Sequence, residues 1–344
     1  MTRFHFFLFT LISFFCATAH ASIFRIDTPH PRGPLATRTQ NPLYLQFVAQ
    51  PMEMATTLSK NKFAFDLSTT FTNFFDRNIK ANGVGVDLDM ELWRTALQAN
   101  FGITHRITLG VELPFLSTSG GFLDSFVQDY HNAFGFPNAG RDDVDNGRFS
   151  FKLTRNGSTV YDADETRWGL SDIPLNFKFN FFDETKRLPA LALKTSLKMP
   201  TGSFSKGTGS GKVDFAASLL SQKSLGRFHL YSQLGFTAFG GHGDQELNAL
   251  TKKGALLYGQ AFEFNLTKHH SFITQVSGSS RYFKNTSVPE LSEITMDLTF
   301  GLTGAFPCKK EDRSLSYHIA FTEDPVANGP SADFSVLMGV GFKY

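Results

Sequence analysis

The sequence predicts an all-β fold, a transmembrane antiparallel β-barrel of about twelve strands with a short helix in one long outer loop. Apolar and polar residues alternate along segment after segment, which is typical of strands with one face in lipid and the other in water. Short connections alternate with long ones, as they do in barrels whose strands begin and end on one side of the membrane. The last segment, residues 332–344, is long enough to cross a bilayer as a tilted strand and ends on the aromatic Tyr344.

The composition agrees with a barrel and argues against other classes of protein. The chain has 344 residues and 39 Phe, yet its mean hydropathy is only −0.15, and no segment beyond the N-terminus has the long apolar run of a membrane helix. Alternation along strands reconciles these values, because only half of each strand faces lipid. A net charge of +2 without a basic patch argues against a nucleic-acid partner.

Residues 1–21 have the layout of a secretory signal peptide. A weakly basic start at Arg3 is followed by an apolar run and by small residues that end at Ala21, so we expect cleavage there and export to the outer membrane of a Gram-negative cell. Cys16 leaves with this segment, and the bulky Phe15 before it argues against a lipoprotein signal. Cys308 is then the one cysteine of the mature chain, so no internal disulfide is expected.

Residues 22–61 are predicted to form an extended N-terminal arm, which either lies in the periplasm or plugs the lumen. The segment is rich in proline, and proline cannot donate a hydrogen bond to a sheet. Its prolines are Pro29, Pro31, Pro34, Pro42 and Pro51. The outer-membrane β-barrel is expected to span residues 62–344.

A row of apolar residues at every second position marks each predicted strand. In chain order the rows begin at Phe63, Val86, Ile107, Ile173, Leu191, Val213, Phe228, Tyr258, Phe272, Ile294, Leu315 and Ala332. In the second strand, three acidic residues share their parity with Trp93 and Leu97 further along. We therefore expect a bulge near Leu92 and Trp93, because one extra residue turns the following side chains to the other face.

The connections predict the orientation and the closure of the barrel. Short links at Thr104-His105, residues 224–226 and Lys268-His269 are expected at the periplasmic end. Tyr344 is expected at the same end, with Asp333 and Lys343 facing the lumen. The terminal strand would then close the barrel by pairing with the strand that begins at Phe63.

Several short motifs resemble those of a known family. They are Gly33-Pro34, Arg38-Thr39-Gln40-Asn41-Pro42-Leu43, Gly120-Gly121-Phe122-Leu123-Asp124, Tyr130-His131-Asn132-Ala133-Phe134-Gly135 and Met199-Pro200-Thr201-Gly202. Together with residues 324–333, they resemble a family of Gram-negative outer-membrane β-barrel proteins that is catalogued as a domain of unknown function, DUF3187. The resemblance spans nearly the whole mature chain. It implies an outer-membrane barrel and implies neither a substrate nor catalytic residues.

The long loop after the third strand contains a segment that is predicted to be helical. Phe122, Phe126, Tyr130 and Phe134 recur at helical spacing, and His131 is one of the polar residues between them. The pattern predicts either a constriction or lid helix at the barrel mouth, or a loop that packs its own aromatic residues.

Residues 141–147 bring carboxylates close together before a glycine, and Asp143 and Asp145 are the weak metal-binding candidates among them. This spacing resembles the oxygen-rich half of a calcium loop. Residues 150–153 stand where the distal glutamate of such a loop is needed, and they contain none. We therefore favour a solvated acidic loop over a metal site and expect no cofactor.

The charges that are predicted to line the lumen are unevenly distributed over the first five strands. They are Asp66, Asp87, Asp89, Glu91, Arg94, Glu112, Lys178, Lys194 and Lys198. Opposed acidic and basic rows across a narrow lumen would orient polar solutes, which indicates a passive channel or transporter for small solutes. The alternative is a closed barrel with a structural or interaction role, in which interior ion pairs and the arm fill the lumen.

An outer-membrane lipid hydrolase is the third hypothesis. His229 and Ser232 lie on one predicted strand, but their odd spacing directs them to opposite faces, which argues against a nucleophile and its base. His242 and Asp244 lie in a glycine-rich loop without a serine at a recognisable distance. We therefore predict a barrel that is not an enzyme.

The expected partners are outer-membrane lipids, one small solute of unknown identity and the barrel assembly machinery. Phe342 and Tyr344 are the residues of the terminal strand that this machinery is expected to recognise. A monomeric or weakly oligomeric state is expected.

Overall fold

The computed structural model describes residues 30–80, 82–135, 140–284, 286, 288–308, 313–325, 329–332 and 334–344. The predicted signal peptide, residues 22–29 of the predicted arm and Asp333 lie outside these residues. Among the described residues, no helix is both long enough and apolar enough to cross a membrane.

Fifteen strands are found in the described part of the chain, and all belong to one sheet. They are β1 (Phe63–Asn78), β2 (Val84–Thr104), β3 (Ile107–Ser119), β4 (Ser150–Arg155), β5 (Ser158–Asp162), β6 (Gly169–Leu170), β7 (Ile173–Phe182), β8 (Ala190–Met199), β9 (Asp214–Leu225), β10 (Phe228–Ala238), β11 (Gly254–Asn265), β12 (His270–Ser279), β13 (Thr295–Pro307), β14 (Ser314–Glu323) and β15 (Phe334–Lys343). Strands β4, β5 and β6 belong to the long connection between β3 and β7.

The other twelve strands form a closed antiparallel ring, which confirms the predicted barrel. Neighbouring strands of the ring pair in chain order, and β3 pairs with β7 across the long connection. Strand β15 returns to β1, where Lys343 lies opposite Ala64 and Phe334 lies opposite Asn73. This is the closure that the sequence predicts.

Short helices occur in the arm and in the connections. They are α1 (Pro42–Leu45), α2 (Asp124–Phe134), α3 (Gln245–Leu250) and α4 (Pro289–Ser292), with one 3₁₀ turn at Arg141–Asp143. The N-cap of α1 is Asn41, whose side-chain oxygen accepts a hydrogen bond from the Leu43 backbone at 2.9 Å.

The two ends of the barrel differ in the length of their connections. At one end, two residues separate β2 from β3 and two separate β9 from β10. The chain terminus is at this same end, since the backbones of Phe63 and Tyr344 exchange hydrogen bonds of 3.0 and 2.8 Å. We call this the turn end, and we call the opposite end, which carries the long connections, the loop end.

The apolar rows of the sequence face outward. On β1, Phe63, Phe65 and Leu67 are exposed while the residues between them are less so. The same alternation recurs on the wall strands from β7 to β15, which leaves Phe, Leu, Ile and Met side chains on the outer surface. Since bilayer lipid is apolar, this belt is the surface that the membrane covers.

The bulge predicted near Leu92 and Trp93 is wrong. Strands β1 and β2 stay in one register through these positions, with Phe71 opposite Trp93. A register shift occurs instead between Gly102 and Thr104, where β2 pairs with β3 at the turn end. Without the bulge, β2 keeps one inward parity along its whole length and extends beyond the wall at the loop end, where β4 pairs with it.

Deleting residues 342–344 is expected to prevent stable closure of the barrel. Phe342 pairs with Phe65 on β1 and with Leu315 on β14, so the deletion leaves unpaired backbone groups on both sides of the seam, where lipid offers no replacement partner. We expect the heat-modifiable, folded form in outer-membrane fractions to fall to a small minority of the protein. Lys343→Ala keeps the backbone pairing and is the control. An undiminished folded fraction after the deletion would contradict this account of closure.

Candidate functional site in the barrel lumen

The described part of the arm, residues 30–61, enters the lumen from the turn end, and its first limb rises along β11 and β12. Arg32 donates hydrogen bonds to the backbone oxygens of Lys268 and His269 in the turn between these strands, at 2.5 and 3.0 Å. Higher up, the backbone of Leu35 exchanges two hydrogen bonds of 3.1 Å with the side chain of Gln275. The first limb therefore follows the inner wall in an extended conformation, held by polar side chains of the strands.

The second limb of the arm descends along the opposite wall. The Val48 backbone N–H donates to Asp214 at 3.0 Å, and Gln50 contacts β8, β9 and β10 through its side chain and its carbonyl oxygen. Asn180 donates to the carbonyl oxygen of Ala55 at 3.0 Å. At the turn end the backbone N–H of Asn61 reaches Gly102 on β2 at 2.7 Å. The arm is therefore a hairpin-like plug whose two ends both lie at the turn end.

The tip of the arm reaches the loop end and packs into an apolar cluster. Leu43, Tyr44 and Phe47 are buried there among side chains of β2, β4, β5 and the long connections of the loop end, which we call the outer connections. The ring of Tyr44 stacks on Tyr282 with centroids 4.4 Å apart, and Phe47 lies 4.9 Å from Phe239. Burial of these rings gives the outer connections a hydrophobic core that depends on the arm.

Glu53 of the descending limb is paired with two lysines of the wall. Its carboxylate contacts Lys178 of β7 at 3.1 Å and also contacts Lys194 of β8. Glu53 is the one acidic residue in the arm segment 30–61, and its role was not predicted from the sequence. Two features of the sequence could have predicted this pairing. One is the isolated acid in a proline-rich segment, and the other is the absence of acidic neighbours on the strands that carry the inward lysines.

Lys198, one of the predicted lumen charges, is buried between two carboxylates. Its amino group lies 2.6 Å from Asp172 and 2.9 Å from Asp214, and the three side chains are at most 3% exposed. The amino group also donates to the carbonyl oxygen of Gln46 in the arm at 2.7 Å. Two carboxylates and a carbonyl oxygen compensate the buried ammonium group, so Lys198 joins β8, β9 and the arm.

Two further predicted lumen residues are paired with each other. Arg94 of β2 forms an ion pair with Glu112 of β3. Asp66 of β1 also faces inward, with one oxygen 3.7 Å from Nδ1 of His318 on β14. The structure therefore directs Asp66, Arg94, Glu112 and the three lysines into the lumen, where most of them contact a charged partner instead of forming opposed open rows.

Asp87, Asp89 and Glu91 do not line the lumen, and this part of the prediction is wrong. Their parity on β2 is that of the outward-facing Trp93, because the predicted bulge is absent. They lie beyond the wall at the loop end, where the long connection covers the outer face of β2. Arg148 of that connection pairs with both Asp87 and Asp89. Their charge, together with the predicted bulge, had suggested the lumen, and the structure shows that both faces of this segment are buried.

Glu91 instead holds the start of helix α2 against the outside of the barrel. Its Oε1 accepts hydrogen bonds from the backbones of Phe122 and Leu123 at 2.7 and 2.5 Å. Asp124 accepts a hydrogen bond from Asn73 of β1 at 3.2 Å. The helix therefore exists as predicted, but it lies outside the wall and does not constrict the lumen.

Phe122, just before α2, and Phe126 within it do not form a lid in this structure. Phe122 and Phe126 are 74% and 55% exposed, so they face away from the barrel. The side chains of Tyr130, His131 and Phe134 lie outside the part that the structure describes. The arm occupies the position that the sequence interpretation gave to a constriction helix.

The acidic loop after α2 is exposed at the candidate metal ligands. Asp143 and Asp145 are both on the surface. Among the described residues, no group of three or more His, Cys, Asp or Glu side chains converges as a metal site.

The residues considered for hydrolysis are not brought together. Ser232 donates to Gln260 at 2.8 Å, whereas His229 contacts Ser224 and Asn265 on the inner face. His242 of the outer connection contacts Gln46 of the arm through Nε2 at 2.6 Å, and its Nδ1 accepts from the Asp244 backbone at 2.9 Å. Burial lowers the pKa of His242 to about 4, so the ring is neutral at pH 7 and serves as a latch between an outer connection and the arm.

The match to a family model extends over both the arm and the barrel. The model is described as a protein of unknown function, DUF3187, and it matches residues 8–344. The chain belongs to this family. Its membership agrees with the resemblance seen in the sequence motifs and with the twelve-strand wall. No curated protein matches the chain.

Solved structures with a similar fold are outer-membrane barrels. The COG4313 outer membrane channel from Pseudomonas putida F1 has a TM-score of 0.53 at 12% identity, covering 84% of this chain and 98% of that one. The NanC porin has a TM-score of 0.43 at 6% identity, with 81% and 98% covered. The translocator domain of autotransporter NalP from Neisseria meningitidis has a TM-score of 0.42 at 9% identity, with 83% and 89% covered. At 12% identity, the likeness to the Pseudomonas channel shows a shared barrel fold.

Replacing Lys198 by Met is expected to lower the free energy of unfolding by about 3–5 kcal/mol, because two buried carboxylates lose their counter-charge. Lys152→Met is the matched control, since Lys152 pairs with Asp162 where both side chains are at least 40% exposed, and about 1 kcal/mol or less is expected there. Denaturant unfolding in lipid vesicles, followed by tryptophan fluorescence, measures both. Equal effects of the two substitutions would contradict the structural role of Lys198.

Proposed function

We propose that this protein is an outer-membrane channel for small polar solutes, and that the N-terminal arm closes its lumen in the conformation described above. The observation that carries the proposal is the bridge from Glu53 to Lys178 and Lys194, which joins the arm to the wall inside the barrel. Charged side chains that point from the wall into the lumen are typical of a water-filled passage. The arm occupies that passage.

The descending limb is the part of the arm that moves most readily. Below Phe47 its hydrogen bonds and ion pairs, as at Gln50 and Glu53, can be replaced by water when the limb leaves the wall. Its apolar contacts there are three small clusters with the wall, without an aromatic side chain from the limb. The tip is different, because its aromatic residues lose burial when they leave their cluster. Opening is therefore a displacement of the limb while the tip stays in the outer cluster.

Lys198 and the tip favour a second function, a closed barrel with a structural or interaction role. Both seal the loop end with buried contacts that are costly to break. This alternative predicts no conductance under any condition, so conductance measurements distinguish it from a channel.

Glu53→Gln is expected to increase opening, because neutralising the acid leaves Lys178 and Lys194 as unpaired like charges that repel each other and release the limb. Single-channel recording in planar bilayers should show a higher open probability for Glu53→Gln than for the native protein. Glu246→Gln is the control, since Glu246 pairs with Arg155 on the exposed loop end. Silence of both the native protein and Glu53→Gln would overturn the channel and support the closed barrel.

A further inference from the structure

A cavity lies between the arm and the wall formed by β2, β3, β7 and β8. Its volume is about 40 Å³, which is room for a few water molecules. Seven of its eighteen lining residues are charged, and these are Arg38, Glu53, Arg94, Glu112, Asp172, Lys194 and Lys198. We call it the arm cavity.

The charged side chains that line the arm cavity form three ion pairs, and Arg38 stands outside these pairs. Four of the lining side chains are basic and three are acidic. Glu112 pairs with Arg94, Glu53 with Lys194, and Asp172 with Lys198. Within the described residues, Arg38 has no carboxylate partner at ion-pair distance.

Arg38 also has hydrogen-bonding capacity that the protein does not use. Its Nη2 donates to the carbonyl oxygens of Tyr44 and Phe47, at 3.3 and 3.1 Å, near the end of helix α1. Its Nε is buried without a hydrogen-bond partner among the described residues. A guanidinium has five donors in a fixed fork, and a buried charge without a counter-charge is costly. The buried carboxylate of Asp297 compensates part of this charge from beyond ion-pair distance, while the Nε donor of Arg38 stays unused within the described residues.

The position of Arg38 indicates where an acceptor for this donor would come from. The side chain borders the arm cavity and two further cavities, which Thr37, Asp297 and other polar residues line. Arg94 shares the arm cavity with Arg38, so two guanidinium groups face one enclosed space. A planar guanidinium group binds a carboxylate or phosphate group through two parallel hydrogen bonds.

We propose that the arm cavity binds a small oxyanion, either a carboxylate or a phosphate group, through Arg38 with support from Arg94. This inference names the solute class of the proposed channel and rests on that function for transport, although binding itself does not require conduction. The cavity admits the anionic group of a solute and excludes a large body. Anion binding beside Glu53 also places a competing negative charge next to the lysines that hold the descending limb.

Arg38 has a simpler role that must be separated from anion binding. Its bonds to Tyr44 and Phe47 hold the arm tip without any ligand. Arg38→Gln alone therefore confounds the loss of an anion site with a loosened tip. Gln98 lines the same cavity and provides a second variant, because Gln98→Glu adds a carboxylate there and leaves Arg38 in place.

Isothermal titration of the purified full-length protein in detergent tests the site, with sodium phosphate and sodium acetate as probes at constant ionic strength. We expect saturable binding of at least one of them with one site per chain, and no binding of glucose or choline chloride. Arg38→Gln and Gln98→Glu should each weaken binding at least tenfold, whereas Arg155→Gln on the exposed loop end should bind like the native protein. Saturation by phosphate alone or by acetate alone identifies the preferred oxyanion.

Two results overturn the site. One is the absence of saturable binding to the native protein, and the other is native affinity in Gln98→Glu. Bilayer recordings of the same preparations separate this outcome from failure of the channel. Conductance without anion binding removes the site and keeps the channel, whereas anion binding by a protein that never conducts removes the channel and keeps the site.

Discussion

Charges that a barrel wall turns inward must be hydrated or paired, and this constraint organises the lumen of the protein. The wall alone pairs Arg94 with Glu112, but Lys178 and Lys194 find their carboxylate on the arm, at Glu53. The arm is therefore part of the electrostatic structure of the wall. Its removal leaves two neighbouring lysines without a counter-charge, so the closed conformation is stabilised by the groups that would face water in an open one.

The limbs and the tip of the arm are held by different kinds of contact, and this difference decides which part can leave the wall more easily. The limbs contact the strands through hydrogen bonds, ion pairs and small apolar clusters. Tyr44 and Phe47 at the tip are instead buried in a larger cluster with aromatic residues of the connections at the loop end. Water replaces a polar contact at a small net cost in free energy, whereas exposing a buried aromatic ring to water costs much more. The connections at the loop end and the arm tip therefore form one packed unit, and the limbs are its less stable extension.

The sequence predicted the wall better than the lumen, for a physical reason. Alternation reports that a strand has two unlike faces, and the terminal strand and its partner at Phe63 were found this way. It does not report which face is inward where loops bury both, so Asp87 was placed in the lumen although it lies outside under Arg148. The contacts of Glu53 with Lys178 and Lys194 join residues far apart in sequence, and no local pattern encodes such pairs. The helix at α2 was predicted from its period, but its position outside the wall depends on Glu91.

A reversible cross-link between the arm and the wall tests the central claim, that the arm must move for the channel to open. Ala55 of the descending limb and Ala192 of β8 are fully buried in one cluster, so Ala55→Cys with Ala192→Cys in a Cys308→Ser background introduces one thiol on the arm and one on the wall within that cluster. Single-channel conductance should be absent in the oxidised protein and should appear after reduction, while each single-cysteine variant conducts under both conditions. Equal conductance of the cross-linked and reduced protein would contradict the account.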